Sequence, residues 1–160
     1  MIFDLIAAAA LAAAGPEEAP VTTRGIGALR IGMPAAALRR LGAEPAEAPE
    51  TPGGCHYWRV RSGDRIRLMV AGDRLVRIDI TNPAYRTWSG AGVGMTEAEI
   101  RRIYGRALRV RPHPYDGGRY LTYHRDGDPY GLIIETDPDN RAAMMRVGYW
   151  RNVQWIEGCL

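Results

Sequence analysis

Two stretches of the chain decide the fold: Ile31-Gly-Met-Pro-Ala-Ala-Ala-Leu-Arg-Arg-Leu-Gly42 and its repeat, Val93-Gly-Met-Thr-Glu-Ala-Glu-Ile-Arg-Arg-Ile-Tyr-Gly105. The glycine-methionine pair at the start and the arginine pair further on are in register in both copies. A strand-rich run behind the first copy, residues 57–64, also aligns with one behind the second, residues 120–128. Self-similarity at a fixed spacing is the signature of a duplicated structural unit. The sequence therefore predicts two tandem modules, 26–86 and 87–160.

Each repeated stretch predicts a short amphipathic helix. In the second copy, Thr96 stands where a helix begins and Glu99 follows three residues later, which is the capping-box pattern. Gly42 and Gly105 stand where the two helices are expected to end.

Behind each helix, the period of the apolar residues changes to two, which is typical of half-buried strands. We predict strands at 56–61, 65–70 and 75–80 in the first module and at 119–125, 130–135 and 143–150 in the second. A last strand is predicted over 153–156, and the proline- and glycine-rich segment 43–54 is predicted to be a loop. The predicted fold class is α+β: two helix-plus-meander modules forming one antiparallel sheet with both helices on one face.

A secreted tandem duplication of such a helix and meander resembles the β-lactamase-inhibitor-protein-like architecture. Each single module is also similar to the small lipoprotein of the outer-membrane barrel-assembly machinery. The resemblance covers about residues 26–156 and rests on the repeated helix signature. It implies a non-enzymatic periplasmic or extracellular protein that binds another macromolecule with a curved sheet.

The N-terminus predicts export. Residues 5–14 form an alanine-rich apolar run with the length of a secretory h-region, so we expect residues 1–14 to be a signal peptide and 15–25 a lead-in. The run is too short to span a bilayer, which needs about 20 residues, so no stable membrane insertion is expected. Because Asp4 makes the n-region acidic, a mis-assigned start or an amphipathic N-terminal helix stays open. The expected localisation is periplasmic or secreted.

The two cysteines agree with export. Cys55 and Cys159 are the only thiols in the sequence. In an oxidising compartment an even cysteine count favours a disulfide, so we predict that the two are joined. Two separate thiols in a cytosolic protein are the alternative.

Strand alternation assigns the side chains to two faces. Facing the helices we predict Trp58, Val60, Ile66, Leu68, Val70, Val76, Ile78, Ile80, Leu121, Tyr123, Leu132, Ile134, Met145 and Val147. On the opposite face, arginines lie beside aromatic residues, a mixture typical of anchoring interfaces. The binding residues predicted there are Tyr57, Arg59, Arg61, Arg67, Arg77, Tyr120, His124 and Trp150. The alternative is that these arginines merely solvate the open side of the sheet.

Several function classes are excluded by composition and spacing. The formal net charge of the 160 residues is only +3, with 18 acidic residues against 21 arginines, so no nucleic-acid partner is expected. No histidine has a neighbour at ligand spacing, and the sequence has no nucleophile elbow. We therefore expect no catalytic residues, no metal and no cofactor.

These observations favour an exported, non-catalytic binding or inhibitor-like protein. Its arginine-rich face is expected to meet an envelope protein or another acidic surface. The alternative is a small periplasmic enzyme or carrier that places Arg59, Arg61, Tyr120 and His124 around an anionic ligand. A deep pocket would favour the alternative, and a broad shallow face would favour the binding protein.

Overall fold

The structure is a computed structural model that describes residues 19–47, 53–60 and 65–159. The predicted signal peptide, residues 15–18 of the predicted lead-in and Arg61 lie outside the described residues. The helices are α1 (Ala35–Arg40), α2 (Glu97–Tyr104) and α3 (Trp150–Val153), and a 3-10 turn, Gly105–Ala107, continues α2. The strands are β1 (Gly25–Ile26), β2 (Leu29–Arg30), β3 (Ala43–Pro45), β4 (His56–Val60), β5 (Ile66–Ala71), β6 (Arg74–Ile80), β7 (Leu108–Pro112), β8 (Arg119–Tyr123), β9 (Tyr130–Thr136) and β10 (Ala142–Tyr149).

One antiparallel sheet dominates the described part of the chain. Its eight strands follow the order β3-β4-β5-β6-β10-β9-β8-β7, while β1 and β2 form a separate small hairpin. The two central strands, β6 and β10, are paired antiparallel, with Ile78 opposite Val147. The predicted α+β class with an antiparallel sheet is therefore confirmed.

The helix ends follow from local sequence. The Thr96 hydroxyl accepts a hydrogen bond from the Glu99 backbone N–H at 3.3 Å, and the Glu99 carboxylate accepts one from the Thr96 N–H at 2.8 Å. The predicted capping box is thus confirmed, and its hydrogen bonds lower the pKa of the Glu99 carboxyl. Helix α1 follows Pro34, whose side chain makes no capping hydrogen bond. Gly105 ends α2 with φ 54°, a conformation that favours glycine.

Both helices bury their apolar side chains in one hydrophobic core. Leu38 of α1 and Ile100 of α2 belong to the same cluster as the inner side chains of the sheet. The core residues predicted from alternation that are buried include Ile66, Leu68, Ile78, Leu132 and Val147. The neighbouring positions fix the register: Leu68 is fully buried, whereas the Arg67 side chain is 58% exposed. A shift by one residue would have reversed this pattern.

One predicted inward residue, Val76, is placed wrongly by alternation. Val70 pairs with Leu75 while Met69 pairs with Arg77, so Val76 is the extra residue of a β-bulge in β6. Leu75 joins the core in its place. The bulge restores the predicted alternation from Arg77 onward.

The structure corrects three other strand predictions. Segment 43–54, predicted to be a loop, begins with β3, and the unpredicted β7 adds a strand at the other edge of the sheet. Both strands end in a proline, which a sheet tolerates at its edges because an edge strand has backbone N–H groups that need no partner. The strand predicted over 153–156 is wrong: after β10 the chain turns into α3 and continues without regular structure.

The disulfide between Cys55 and Cys159 is present, with the two Cα atoms 5.2 Å apart, as predicted. It joins the segment before β4 to the C-terminus across a sequence separation of 104 residues. The end of the chain is thereby tied to the first half of the sheet.

Candidate binding face

We call the side of the eight-stranded sheet opposite the helices the outer face. A row of paired residues crosses it from β4 to β7: Arg59, Arg67, Asp79, Arg146, Ile133, Thr122 and Arg109. Each residue in this row is the direct cross-strand partner of the next. The outer face therefore carries several arginines, as alternation predicts, and two of them lie at the ends of the row.

The C-terminal tail, residues 150–159, covers the centre of the outer face. The carbonyl oxygens of Asn152 and Trp155 accept hydrogen bonds from Arg77 Nη1 at 3.1 and 2.7 Å. The Trp155 carbonyl also accepts one from Arg146 Nη1 at 3.0 Å. Near its end, the tail packs so tightly that a Cβ added at Gly158 would lie 2.4 Å from the Tyr57 hydroxyl. Two sheet arginines and the disulfide thus hold the tail in place.

Arg77, predicted to be a binding residue, is buried beneath this tail and only 2% exposed. Its Nε and Nη2 donate to the two carboxylate oxygens of Asp79 at 2.7 and 2.9 Å, and Nη2 also donates to the Tyr57 hydroxyl at 2.7 Å. Asp79 is equally buried. The prediction for Arg77 is therefore wrong: alternation gives the correct face, but it does not show that a later segment covers that face.

Tyr57 lies half-buried at the edge of this cluster. Burial raises the pKa of its phenol, and the nearby Asp79 carboxylate adds to the rise. Arg67 stacks over the Tyr57 ring at 4.6 Å and approaches Asp79 to 3.8 Å. Tyr57 therefore supports the buried pair and leaves little of its ring for a partner.

A second buried ion pair lies beside the first. Arg146 is 1% exposed and pairs with Glu135, whose pKa is raised by burial while Arg146 opposes the rise. The guanidinium also lies over the ring of Tyr120 at 5.2 Å. Within the described residues, Arg146 Nε and the Tyr120 hydroxyl are buried without a hydrogen-bond partner.

His124 and Trp150, both predicted to be binding residues, pack against each other. Their rings stack 3.9 Å apart at an interplanar angle of 8°. His124 Nε2 lies 2.8 Å from the Asp128 carbonyl oxygen, and a Cβ added at Gly131 would lie 2.6 Å from the Trp150 ring. This packing holds the first residue of the tail in place, and from there the tail crosses the sheet.

Of the residues proposed for the alternative active site, Tyr120 and His124 line one groove, but Arg59 is not brought to them, and Arg61 lies outside the described residues. Arg59 lies on β4 and Tyr120 on β8, with four strands between them. Because neighbouring strands are about 4.8 Å apart, the two residues are separated by roughly 24 Å. They do not surround one ligand. In the described ranges, moreover, no three acidic, histidine or cysteine side chains cluster as metal ligands.

The arginines that remain exposed lie on either side of the tail. On the first flank, Arg59 is 61% exposed and pairs with Glu44 at 3.1 Å, and Arg67 lies beside it. On the second flank, Arg109 is 60% exposed and forms an exposed pair with Asp126 at 3.3 Å. The Arg111 side chain is exposed and makes no hydrogen bond or ion pair with another described residue. We call these pairs the β4 flank (Arg59, Arg67) and the β7 flank (Arg109, Arg111).

A groove with a volume of about 220 Å³ runs between the tail and the β7 flank. Its walls combine cationic, polar and apolar side chains: Arg109, Arg111, Tyr120, Thr122, His124, Ile133, Arg146, Trp150, Gln154 and Ile156. Another cavity, of about 540 Å³, lies on the other side of Trp150 and is lined by Val76, Pro129 and Tyr149 among others. The groove brings Tyr120, His124 and Trp150 to the β7 flank, whereas Arg59 and Arg67 lie elsewhere.

Sequence reasoning missed Arg109, Arg111 and the tail. The alternation Leu-Arg-Val-Arg-Pro in 108–112 is the signal that could have found the two arginines. No comparable signal marks the tail, because its contacts to the sheet are made by backbone carbonyl groups.

Comparison with known proteins shows the fold. No protein-family model matches the chain, and no curated protein matches it in sequence. Its structure is similar to that of the uncharacterized protein YfeY from Escherichia coli, with a TM-score of 0.54 and 12% identity over 81% of this chain and 99% of that one. It is also similar to YjgB, a DUF4309 family protein from Bacillus subtilis, with a TM-score of 0.51 and 16% identity over 84% of this chain and 90% of that one.

A more distant match is an extracellular protein containing a SCP domain from Bacillus anthracis, with a TM-score of 0.48 and 11% identity. The match covers 75% of this chain, which spans 44% of the length of that protein. No helix in the described ranges has the length and apolar character needed to cross a bilayer.

Proposed function

We propose that this protein is an exported, non-catalytic binding protein whose outer face holds an acidic macromolecular partner in the cell envelope. The proposal rests on one observation: some arginines of the outer face are buried and others are exposed. Arg77 and Arg146 are buried and paired with carboxylates, whereas the β4 and β7 flanks stay exposed. The buried pairs belong to the interior of the fold, whereas the flank arginines are available to a partner.

The residue types on the β7 flank suit a protein surface as partner. Guanidinium groups bind carboxylates through two parallel hydrogen bonds. Ile156 lines the groove with the two arginines, and it and the preceding Trp155 are large apolar side chains exposed at 43% and 38%. Arginine next to exposed aromatic and aliphatic groups is the composition of interface hot spots.

The internal duplication belongs to this proposal. We infer that 26–86 and 87–160 are two copies of one helix-plus-strand module, resembling the β-lactamase-inhibitor-protein-like architecture. Support comes from the strand order, in which β3 to β6 and β7 to β10 run inward from opposite edges and meet at β6 and β10. In such an arrangement each copy contributes one arginine flank.

The disulfide is the basis on which we propose that the protein is exported. Disulfides persist in oxidising compartments and are rare in the cytosol, so Cys55–Cys159 favours a periplasmic or secreted protein. The predicted removal of residues 1–14 agrees with this localisation.

Charge reversal on the flanks tests the proposed function. With the protein as bait in an envelope extract of its native host, Arg59→Glu combined with Arg109→Glu and Arg111→Glu is expected to slow capture of an acidic partner by roughly tenfold or more. Salt should weaken the wild-type interaction, because the Debye length falls from about 10 Å at 0.1 M to about 3 Å at 1 M. Binding should be read by the association rate on a biosensor surface.

Arg106→Glu is the matched control, since Arg106 is exposed in the 3-10 turn outside the sheet. Arg67 is left unchanged because a glutamate there would lie against the buried Asp79 carboxylate. Equal association rates for the flank and control variants would contradict the proposal and leave the arginines as a solvated surface.

A further inference from the structure

We propose that the acidic partner adds a β-strand to the free edge of β7, with acidic side chains at alternate positions opposite Arg109 and Arg111. This inference rests on the proposed function and names the kind of partner segment. Strand addition to a sheet edge is a common mode of peptide recognition, in which backbone hydrogen bonds give affinity and alternate side chains give specificity.

The edge of β7 is open in the described part of the chain. β7 is the last strand of the sheet order and pairs with β8 along its whole length, from Leu108 opposite Tyr123 to Pro112 opposite Arg119. The Leu108 N–H donates to the Gly105 carbonyl oxygen at the start of the strand; beyond that bond and the pairing with β8, no backbone hydrogen bond among the described residues involves 108–112. An edge strand with unpaired donors and acceptors is a template for another strand.

The opposite edge of the sheet is less suited to strand addition. β3 has only three residues against five in β7, and each of the two strands ends in a proline that lacks a backbone donor. Its outward side chain, Glu44, is already engaged by Arg59 at 3.1 Å. The positive charge and the longer free edge thus coincide on β7.

The alternation in β7 sets the pattern of the partner segment. Leu108 and Val110 pack against the hydrophobic core, so Arg109 and Arg111 point to the outer face and line the groove. Side chains on an added strand would lie about 4.5–5.5 Å from their cross-strand neighbours. The complementary segment therefore carries acidic residues at every second position and apolar residues between them.

The ring contacts of the groove disfavour a nucleic acid as occupant. Single-stranded nucleic acids bind by stacking bases on open aromatic faces. Here the Tyr120 ring is contacted by His113 at 4.7 Å and by the Arg146 guanidinium at 5.2 Å, and Trp150 is stacked on His124. An extended peptide needs no stacking face, because it binds through its backbone.

A synthetic peptide that alternates glutamate and valine tests the inference by fluorescence polarisation. Two further peptides carry the same charges but are N-methylated on alternate backbone nitrogens, one on the glutamates and the other on the valines. In a strand, alternate N–H groups point to the same side, so one of the two methylated peptides is expected to bind about tenfold more weakly and the other to bind like the parent. Arg109→Glu with Arg111→Glu should weaken the parent peptide similarly, whereas Arg40→Glu, exposed on α1 on the helix side, should leave its affinity unchanged.

Three results would overturn the inference. If both methylated peptides bind like the parent while Arg109→Glu with Arg111→Glu weakens all three, the flank attracts acidic chains without strand pairing, and the proposed function stands alone. The inference also fails, and the proposed function again stands alone, if the parent peptide does not bind although envelope capture still depends on Arg109 and Arg111. If neither the peptides nor the envelope partner respond to the arginine variants, both proposals are wrong.

Three further measurements test which occupant binds the edge. Hydrogen exchange of the backbone amides in 108–111 should slow when the parent peptide binds. An oligothymidylate that displaces the peptide equally well would contradict a peptide-specific edge. Dimerisation of the protein through Glu44 and the β7 edge, detected by sedimentation and abolished by Glu44→Arg, would assign the edge to a second copy and refute the proposed partner.

Discussion

Reduction of the Cys55–Cys159 disulfide is expected to lower the free energy of unfolding by about 2–5 kcal/mol. The bond joins residues 104 apart in sequence, so its loss restores many conformations to the unfolded chain. It also releases the end of the tail that covers Arg77 and Arg146. The disulfide therefore restricts the conformations of the unfolded chain, and in the folded protein it holds the tail over the outer face.

Urea unfolding with and without reductant measures the effect. The double variant Cys55→Ser with Cys159→Ser should unfold at the midpoint of the reduced wild type, and reductant should not change it further. A reduced protein as stable as the oxidised one would show that the tail is held without the disulfide.

Replacement of Arg77 by leucine is expected to cost about 3–5 kcal/mol, the range for a buried ion pair that loses one partner. The substitution leaves the Asp79 carboxylate buried without its bidentate partner. It also removes the hydrogen bonds that Arg77 donates to the Asn152 and Trp155 carbonyl oxygens, although the Trp155 carbonyl keeps its bond from Arg146. Thermal and urea unfolding would both report the loss.

The combined variant Arg77→Leu with Asp79→Leu separates the two causes. Removing both charges should recover part of the stability, because replacing a buried pair by apolar groups is often neutral. Arg106→Leu, at an exposed position, should change stability by no more than about 0.5 kcal/mol. A single Arg77→Leu variant as stable as this control would contradict the assignment of Arg77 to the interior.

Much of the sheet is predictable because its strands are regular. A period of two correctly places Ile66, Leu68, Val70, Leu132 and Ile134 in the core, although Met69 and Ile133 on the opposite face are buried as well. The capping box at Thr96 is local in the same way. These elements are specified by neighbours within a few residues.

The sequence predictions fail where the structure depends on contacts between segments that are distant in the chain. Val76 is displaced by a bulge that depends on the pairing of β5 with β6, and no local pattern encodes that pairing. The burial of Arg77 depends on a tail that begins more than seventy residues later in the chain. Composition alone does not separate a solvated arginine from one that holds a backbone carbonyl.

The candidate site shows the same division. Alternation assigns Arg59 and Arg67 to the correct face, and the structure leaves both exposed. Tyr57, His124 and Trp150 also lie on that side. His124 stacks on Trp150 and Tyr57 packs against Gly158, so these side chains hold the tail in place. The β7 flank was missed because a proline-bearing edge strand was not recognised as a strand.

Site-specific photo-crosslinking tests whether an acidic partner binds the outer face beside the tail. A photoreactive side chain at Gln154, which is exposed and lines the groove, leaves all four flank arginines in place. The same group at Arg40, exposed on α1, reports on the helix side of the molecule. In native envelopes, we expect an adduct with an acidic protein from position 154 and none from position 40. An adduct from position 40 alone, or equal yields from both positions, would contradict binding at the outer face.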